Sequence, residues 1–216
     1  MNYIQRNKDS LPKLSETSSC FKKEITGMTR EEAYKYYDVR KNVFKYNTEE
    51  TTGEFKKMNY ERCSFCTKLI QEFDSEMTVE HIETKKDKPE KIFEWANLLC
   101  ACRTCNTKRS TNRYDDKKYL DPTKVEDIEK YFCYNGDGSI SVNEDLTEEE
   151  KLQAKYMIDL YKLDRESLNV ERRKFLYDLQ QDEDFYKGLL KQGMDSRRIV
   201  FRCVFTYYKR RIKNGK

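Results

Sequence analysis

The sequence predicts an α+β protein that is mostly helical and is built around a small metal-bearing core. Two Cys-x-x-Cys pairs, Cys63 with Cys66 and Cys102 with Cys105, enclose a segment that alternates like a strand. Helix-capping patterns lie on both sides of this segment. The 216 residues are 37% hydrophobic and 38% charged, which favours several small cores over one large one.

The N-terminal quarter predicts helices after an irregular start. Residues 1–28 show little apolar periodicity, so they predict an arm rather than a domain. Thr29 begins a capping-box pattern, and a helix is expected over 30–46. A break is expected at 48–53, followed by a short helix at 54–62.

The central region predicts two strands and a helix. Residues 77–82 alternate and are β-rich, and 85–91 form a charged loop. Residues 92–101 are mostly apolar, so they predict either a strand or a short buried turn. A helix is expected over 102–113, and the Asn-Gly and Asp-Gly pairs predict a hairpin over 132–142.

The C-terminal third predicts helices alone. Thr147 opens a second capping box, Asp164 is expected to cap the next helix, and Gly193 ends the pattern. Asp195 or Ser196 is expected to cap a last helix, which would carry an apolar stripe beside a basic one.

These patterns predict three segments: an N-terminal arm and helix at 1–62, a core at 63–143 and a helical region at 144–216. No run of 18 apolar residues predicts a membrane span, and the first residues do not resemble a signal peptide. Eight cysteines in such a chain favour thiols and metal over disulfides, so a cytoplasmic location is expected. The net charge is only +4, and the basic residues concentrate near the C-terminus.

The paired cysteines predict a structural zinc site. A Cys-x-x-Cys segment supplies two thiolates to one tetrahedral ion, and two such segments complete a closed four-thiolate site. The alternative is four unrelated buried cysteines. Cys100 could compete as a ligand, although the pair formed by Cys102 and Cys105 has the better spacing.

His81 is the only histidine of the chain, and it lies between the two cysteine pairs. A neutral imidazole is a natural base for activating water near pH 7. Glu80 before it and Asn106 after the last cysteine offer hard oxygen ligands that suit Mg²⁺ or a similar ion. Neighbouring strand residues point to opposite faces, so Glu80 and His81 would share a site only near a bend.

The order Cys-x-x-Cys, Glu-His-Ile, Trp-x-Asn-Leu, Cys-x-x-Cys-Asn-x-Lys resembles the HNH (ββα-metal) endonuclease family in its zinc-stapled variant. The resemblance implies that His81 is the general base and that Asn97 holds the loop and orients this base. It also implies that Glu80 and Asn106 bind a catalytic Mg²⁺ or Mn²⁺, and that Lys108 contacts phosphate.

Flanking segments at 3–6, 120–122, 134–138 and 163–168 resemble the PtuB family of Septu anti-phage systems, some of which are attached to retrons. The resemblance implies a PtuA-like ABC/SMC-type ATPase as partner and, where a retron is present, its reverse transcriptase and RNA–DNA product. It implies a nucleic acid substrate, with DNA favoured and tRNA as the alternative.

Two other functions remain open at this stage. The chain could be a zinc-stabilised adaptor that keeps the HNH frame without catalysis, or a zinc module that binds DNA without cutting it. The second alternative uses the basic residues of 103–113, which are Arg103, Lys108, Arg109 and Arg113. In a nuclease, Lys108, Arg109 and Arg113 would hold the substrate strand.

Overall fold

The computed structural model describes residues 1–6, 9–70, 77–109, 114–193 and 196–213. Over these ranges the chain forms eight α-helices, four strands and three short 3₁₀ helices. The α-helices are α1 (Pro12–Glu24), α2 (Arg30–Arg40), α3 (Glu49–Asn59), α4 (Arg103–Lys108), α5 (Glu148–Tyr161), α6 (Glu166–Gln181), α7 (Glu183–Gln192) and α8 (Arg202–Lys213). The strands are β1 (Met77–His81), β2 (Leu98–Cys102), β3 (Phe132–Tyr134) and β4 (Ile140–Val142). The 3₁₀ helices are Pro89–Lys91, Trp95–Asn97 and Ile128–Tyr131. The predicted fold class, α+β and mostly helical, is confirmed.

The central feature is the antiparallel pair of β1 and β2, in which Val79 lies opposite Cys100. Helix α4 begins at the residue after β2 and packs against both strands. The predicted order of strand, connection, strand and short helix is therefore present as a ββα unit, although β2 covers only the end of the range 92–101 and α4 ends at Lys108. The predicted hairpin over 132–142 is also present, as β3 and β4.

The β1–β2 hairpin is buried on both faces because it separates two hydrophobic cores. Val79, Leu98 and Cys100 belong to a core that helices α1 to α3 complete. Leu99 and Ala101 point the other way, into a core completed mainly by the C-terminal helices. The alternation of the strand thus places successive residues from Leu98 to Ala101 in different cores, whereas Cys102, at the end of β2, lies in the same core as Ala101.

The expectation of an irregular arm at 1–28 was wrong, because Pro12–Glu24 is helix α1. Proline is favoured at the first helical position, where its missing N–H costs nothing. The Ser- and Thr-rich composition gives the helix weak intrinsic propensity, but Leu14 and Phe21 are buried on one face. Tertiary burial therefore outweighs local propensity.

The helix expected over 30–46 ends at Arg40, although its capping box at Thr29 is present as predicted. The residues that follow form turns, and Val43 among them is 76% exposed. The break expected at 48–53 was also wrong, since Thr48 accepts a hydrogen bond from the Thr51 backbone and caps helix α3.

In the C-terminal region the capping box at Thr147 opens α5 as predicted. Asp164 does not cap α6, because its carboxylate accepts hydrogen bonds from the Ile140 backbone and the Asn169 side chain. Helix α8 begins at Arg202, later than the predicted cap at Ser196. The alternative cap, at position 195, lies outside the described residues.

The apolar stripe predicted for the last helix is part of the second core, where Val204 and Phe205 are almost fully buried. The same core holds Phe132 of β3 and Phe175 of α6, so the segments 63–143 and 144–216 pack on one another. Within the described ranges, no helix combines the length and apolarity needed to cross a membrane.

Gly138, in the turn between β3 and β4, provides a test of this packing. Its φ is +85°, and a Cβ added there would overlap the Asn169 backbone oxygen and lie 2.7 Å from the Arg173 nitrogen in α6. Gly138→Ala should therefore lower the free energy of unfolding, measured in urea, by about 2 kcal/mol or more.

The matched control is Gly136→Ala in the same turn, where an added Cβ meets nothing within 4 Å. This variant should change the free energy of unfolding by less than about 0.5 kcal/mol. Equal effects of the two substitutions would contradict the packing of the β3–β4 turn on α6.

Candidate metal and catalytic centre

The four predicted zinc ligands, Cys63, Cys66, Cys102 and Cys105, come together in one buried cluster. Their sulfur atoms all lie within 4.8 Å of one another. Four sulfurs at about 2.3 Å from a tetrahedral zinc would be about 3.8 Å apart, and the Sγ atoms of Cys66 and Cys102 are 3.9 Å apart. The donor set and its spacing fit a structural zinc site.

Backbone hydrogen bonds shape the first cysteine pair into a tight turn. The Cys63 N–H donates to the Lys68 carbonyl, and the Thr67 N–H donates back to the Cys63 carbonyl. The Ser64 N–H donates to the Cys100 carbonyl at 2.9 Å, which joins this turn to β2. The two cysteine pairs are therefore held together by backbone contacts as well as by the sulfur cluster.

The second pair spans the start of α4, where the Cys105 N–H donates to the Cys102 sulfur at 3.4 Å. Hydrogen bonds from the other three thiols hold the pKa of Cys102 well below its usual range. Burial raises the pKa of Cys63 and the contact with Cys102 raises the pKa of Cys105, so these two groups favour the thiol form. Zinc binds cysteines as thiolates and would displace those protons.

Arg165, at the start of α6, was not predicted as part of the site. Its guanidinium donates to the Cys105 sulfur at 3.6 and 3.7 Å. A positive group on the cluster offsets the charge of four thiolates around a divalent ion. Cys100 is not part of the cluster, because it faces the opposite core, where burial raises the pKa of its thiol.

His81 lies at the end of β1, and its side chain is 5% exposed. Its Nε2 atom is 3.0 Å from the carbonyl oxygen of Ile92. Because a carbonyl only accepts hydrogen bonds, Nε2 carries the proton and Nδ1 carries the lone pair. Burial lowers the pKa of His81 to about 3, with a further contribution from the positive charge of Lys85.

Tyr46 and Lys85 complete the surroundings of the imidazole, and sequence reasoning predicted neither. The Tyr46 ring lies edge-on to the His81 ring, with centroids 4.6 Å apart. The Lys85 ammonium donates to the Tyr46 hydroxyl at 3.1 Å. Tyr46 is 35 residues before His81 in the chain, so no local spacing could have indicated this contact.

Asn97 binds the loop that follows His81. Its Oδ1 accepts from the Glu83 N–H at 2.8 Å, and its Nδ2 donates to the carbonyls of Glu83 and Lys91. The backbone carbonyl of Asn97 accepts from the Ile82 N–H at 2.9 Å. The side chain thus holds both ends of the loop that supplies Lys85, while the predicted orienting role toward His81 remains a prediction.

Glu80 points to the opposite face of β1 from His81, where it is 5% exposed. It forms an ion pair with Arg109, whose guanidinium also donates to the backbone carbonyls of His81 and Ile82. Arg109 is therefore turned inward, although the sequence predicted a contact with nucleic acid. Lys108 is exposed, and the predicted contact at position 113 lies outside the described residues.

Asn106 lies on α4 and donates to the Thr78 hydroxyl at 3.0 Å. Thr78 and Glu80 are two residues apart on β1, so both point to the side of the hairpin that α4 covers. The carboxylate of Glu80 and the amide of Asn106 offer the oxygen atoms that Mg²⁺ and Mn²⁺ prefer. The donor chemistry fits a divalent ion, and Arg109 is the positive group that Glu80 contacts in this structure.

The zinc site predicts a loss of metal on substitution of one ligand. Cys102→Ser should lower the zinc content, measured by inductively coupled plasma mass spectrometry, well below one ion per chain and should lower the melting temperature. The matched control is Cys100→Ala, two residues away on the same strand but facing the other core. This control should keep one zinc per chain. Loss of zinc from Cys100→Ala, with zinc retained in Cys102→Ser, would contradict the assignment of the ligands.

The environment of His81 predicts that it stays neutral over the physiological range. Because the chain has one histidine, its imidazole resonance can be followed by nuclear magnetic resonance without assignment. The resonance should not titrate between pH 8 and pH 5, since the pKa is lowered to about 3. In urea the same resonance should titrate near pH 6.5.

The corresponding effect on stability has a definite sign. Below about pH 6.5 the unfolded chain binds a proton at His81 that the folded chain does not bind, so the free energy of unfolding falls as the pH falls from about 6.5 toward 3. A folded-state titration with a midpoint between pH 6 and 7 would contradict this burial of the imidazole.

Comparison with known proteins agrees with this arrangement. Residues 63–112 match the family model described as HNH endonuclease. Part of the chain is similar to the Septu protein PtuB of Bacillus thuringiensis, with 32% identity over 66 residues. The aligned region is 31% of this chain and 26% of that relative, so the similarity covers about a quarter of the relative's length. The ββα unit with its four cysteines is therefore an HNH endonuclease domain, carried by residues 63–112 of this chain.

Proposed function

We propose that this protein is a metal-dependent endonuclease that hydrolyses phosphodiester bonds of nucleic acid. The observation that carries the proposal is the position of His81 within the HNH domain. The hydrogen bond to the Ile92 carbonyl fixes the proton on Nε2, and burial keeps the ring neutral. The lone pair on Nδ1 is the position at which a general base accepts a proton from water, and it would act best if bound substrate raised the pKa of the imidazole from about 3 toward the working pH.

In this mechanism Nδ1 of His81 accepts a proton from the attacking water, the oxygen of which forms a bond to phosphorus as the ester bond breaks. Glu80 and Asn106 would hold Mg²⁺ or Mn²⁺. When bound, this ion stabilises the negative charge of the phosphate and of the leaving oxygen. Asn97 holds the loop beside the base, and the exposed Lys108 binds a phosphate of the substrate strand.

The proposed biological role is the effector of an ATPase-controlled anti-phage defence system in the cytoplasm. The support is the similarity to a protein named as the PtuB component of Septu. A PtuA-like ABC/SMC-type ATPase is the proposed partner, together with a retron reverse transcriptase and its RNA–DNA product where a retron is present. DNA is the favoured substrate and tRNA the alternative.

One observation favours a second candidate, a zinc-stabilised adaptor without catalysis. Glu80 is paired with Arg109, and His81 is only 5% exposed, so both central groups are covered in this structure. An adaptor would need the zinc cluster and the packed helices but neither of these two side chains. The zinc module that binds DNA without cutting has less support, because α4 has six residues and Arg109 points inward.

A cleavage assay separates the nuclease from the adaptor. The purified protein is incubated with plasmid DNA and with tRNA in Mg²⁺ or Mn²⁺, alone and together with the ATPase, and compared with His81→Ala. Wild type should cut at least one substrate, and the variant should be slower by about 10²- to 10⁴-fold, because general-base catalysis contributes on this order.

Zinc content and melting temperature of the His81→Ala variant serve as the control for folding, since the zinc cluster does not use this side chain. If both substrates survive equally in wild type and in a correctly folded variant, with the ATPase present, the chain is an adaptor and the nuclease proposal fails.

A further inference from the structure

We propose that a groove formed by the N-terminal region and the HNH domain binds a single-stranded stretch of nucleic acid and leads it to the catalytic centre. The groove has a volume of about 430 Å³. Its walls include Tyr37, Phe44, Lys45 and Tyr46 on one side and Thr78 and Asn106 on the other. We call it the N-terminal groove. This inference rests on the proposed nuclease function and specifies the part of the substrate that the chain grips.

One wall of the N-terminal groove comes from outside the HNH domain. The turn after α2 supplies Lys45 and Tyr46, whereas the matched family region begins at residue 63. This turn is where the predicted helix over 30–46 ends early, at Arg40. The early end of the helix brings the aromatic and basic side chains of 41–47 against β1.

The charge of the N-terminal groove suits phosphate groups. Lys41 and Lys45 line it, and both are exposed. Lys45 forms no ion pair within the described residues, and Lys41 contacts only an exposed carboxylate, that of Asp38, at 3.3 Å. Exposed ion pairs of this kind contribute little free energy, so Lys41 can leave Asp38 and bind a phosphate with little loss of stability.

The aromatic side chains suit unpaired bases rather than a duplex. Phe44 and Tyr46 line the groove and are half-buried, and the Lys85 ammonium lies over the Tyr46 ring, 5.2 Å from its centroid. Aromatic rings beside cations along a groove are the arrangement with which proteins bind single strands without reading their sequence. The bases of a duplex are stacked on each other and present no face to such rings.

The position of the N-terminal groove connects it with the catalytic residues. Asn106, the proposed ligand of the divalent ion, forms part of its wall. Tyr46, on the other wall, lies edge-on to His81 with ring centroids 4.6 Å apart. A strand held in the groove would therefore lie beside Asn106 and beside the Tyr46 ring against which His81 packs.

The test is a binding measurement on the full chain in buffer without added divalent ion. The probes are fluorescently labelled 12-mers of oligo-dT and oligo-U. Their binding is measured by fluorescence anisotropy at several salt concentrations. In the double variant Lys41→Ala/Lys45→Ala, the slope of log affinity against log salt should be smaller by about 1.4, because each phosphate contact to a single strand contributes about 0.7.

The matched control is Lys187→Ala/Lys191→Ala on α7. These two lysines are exposed and have the same spacing as Lys41 and Lys45, but they lie in the C-terminal region. Their substitution removes the same amount of charge. The control should keep the wild-type slope. Equal slopes for wild type and the groove variant, or equal losses in both double variants, would overturn the proposal.

Two further probes test the assignment to unpaired bases. An abasic 12-mer of the same charge should bind wild type at least about fivefold more weakly than oligo-dT, because stacking of one base contributes about 1 kcal/mol or more. A blunt duplex should bind more weakly than the tighter-binding of the two single strands, oligo-dT and oligo-U. If the duplex and the abasic strand bind as tightly as the single strands, the single-strand assignment is wrong.

These outcomes are distinguishable from a failure of the nuclease proposal. If cleavage depends on His81 but strand binding does not depend on Lys41 and Lys45, the nuclease proposal holds and the N-terminal groove is not the binding site. If strand binding depends on these lysines but wild type cuts no substrate, the protein binds single strands and the nuclease proposal fails.

Discussion

The buried cluster of four cysteines is the constraint on which the rest of the structure depends. It joins the turn at 63–66 to the end of β2 and the start of α4, across more than 30 residues of intervening chain. With both ends of the ββα unit fixed, the β1–β2 hairpin can be buried on both faces, between a core of N-terminal helices and a core of C-terminal helices. Arg165 extends the contacts of the four cysteines to the start of α6.

The alternation of β1 separates the two central groups of the candidate catalytic centre. His81 enters the core of α1 to α3, where burial and Lys85 keep it neutral. Glu80 enters the other core, where a buried carboxylate needs a positive partner, and Arg109 supplies one. The expected conflict between neighbouring strand residues is therefore present. In this structure the two side chains therefore do not face one site, and joint action on one phosphate would require a rearrangement of the strand end that releases Glu80 from Arg109.

Much of the core could be predicted from local sequence, because its determinants are local. Cysteine spacing identified the four cysteines that cluster, alternation identified β1, and side-chain capping patterns identified the starts of α2 and α5. Helix α1 was missed because its stability comes from burial of Leu14 and Phe21 rather than from propensity. The contacts of Tyr46 and Arg165 join residues 35 and 60 positions apart, so no periodicity could reveal them. The roles proposed for the site residues remain predictions.

Binding of Mn²⁺, followed by electron paramagnetic resonance, tests the central claim most directly, because it asks whether the HNH domain holds a second ion besides zinc. The wild-type protein should bind one Mn²⁺, and Glu80→Gln should lose this ion while it keeps its zinc, since the four cysteines are separate from Glu80. Mn²⁺ binding that is the same in wild type and Glu80→Gln, or absent from both, would contradict the account of a metal-dependent catalytic centre at Glu80 and Asn106.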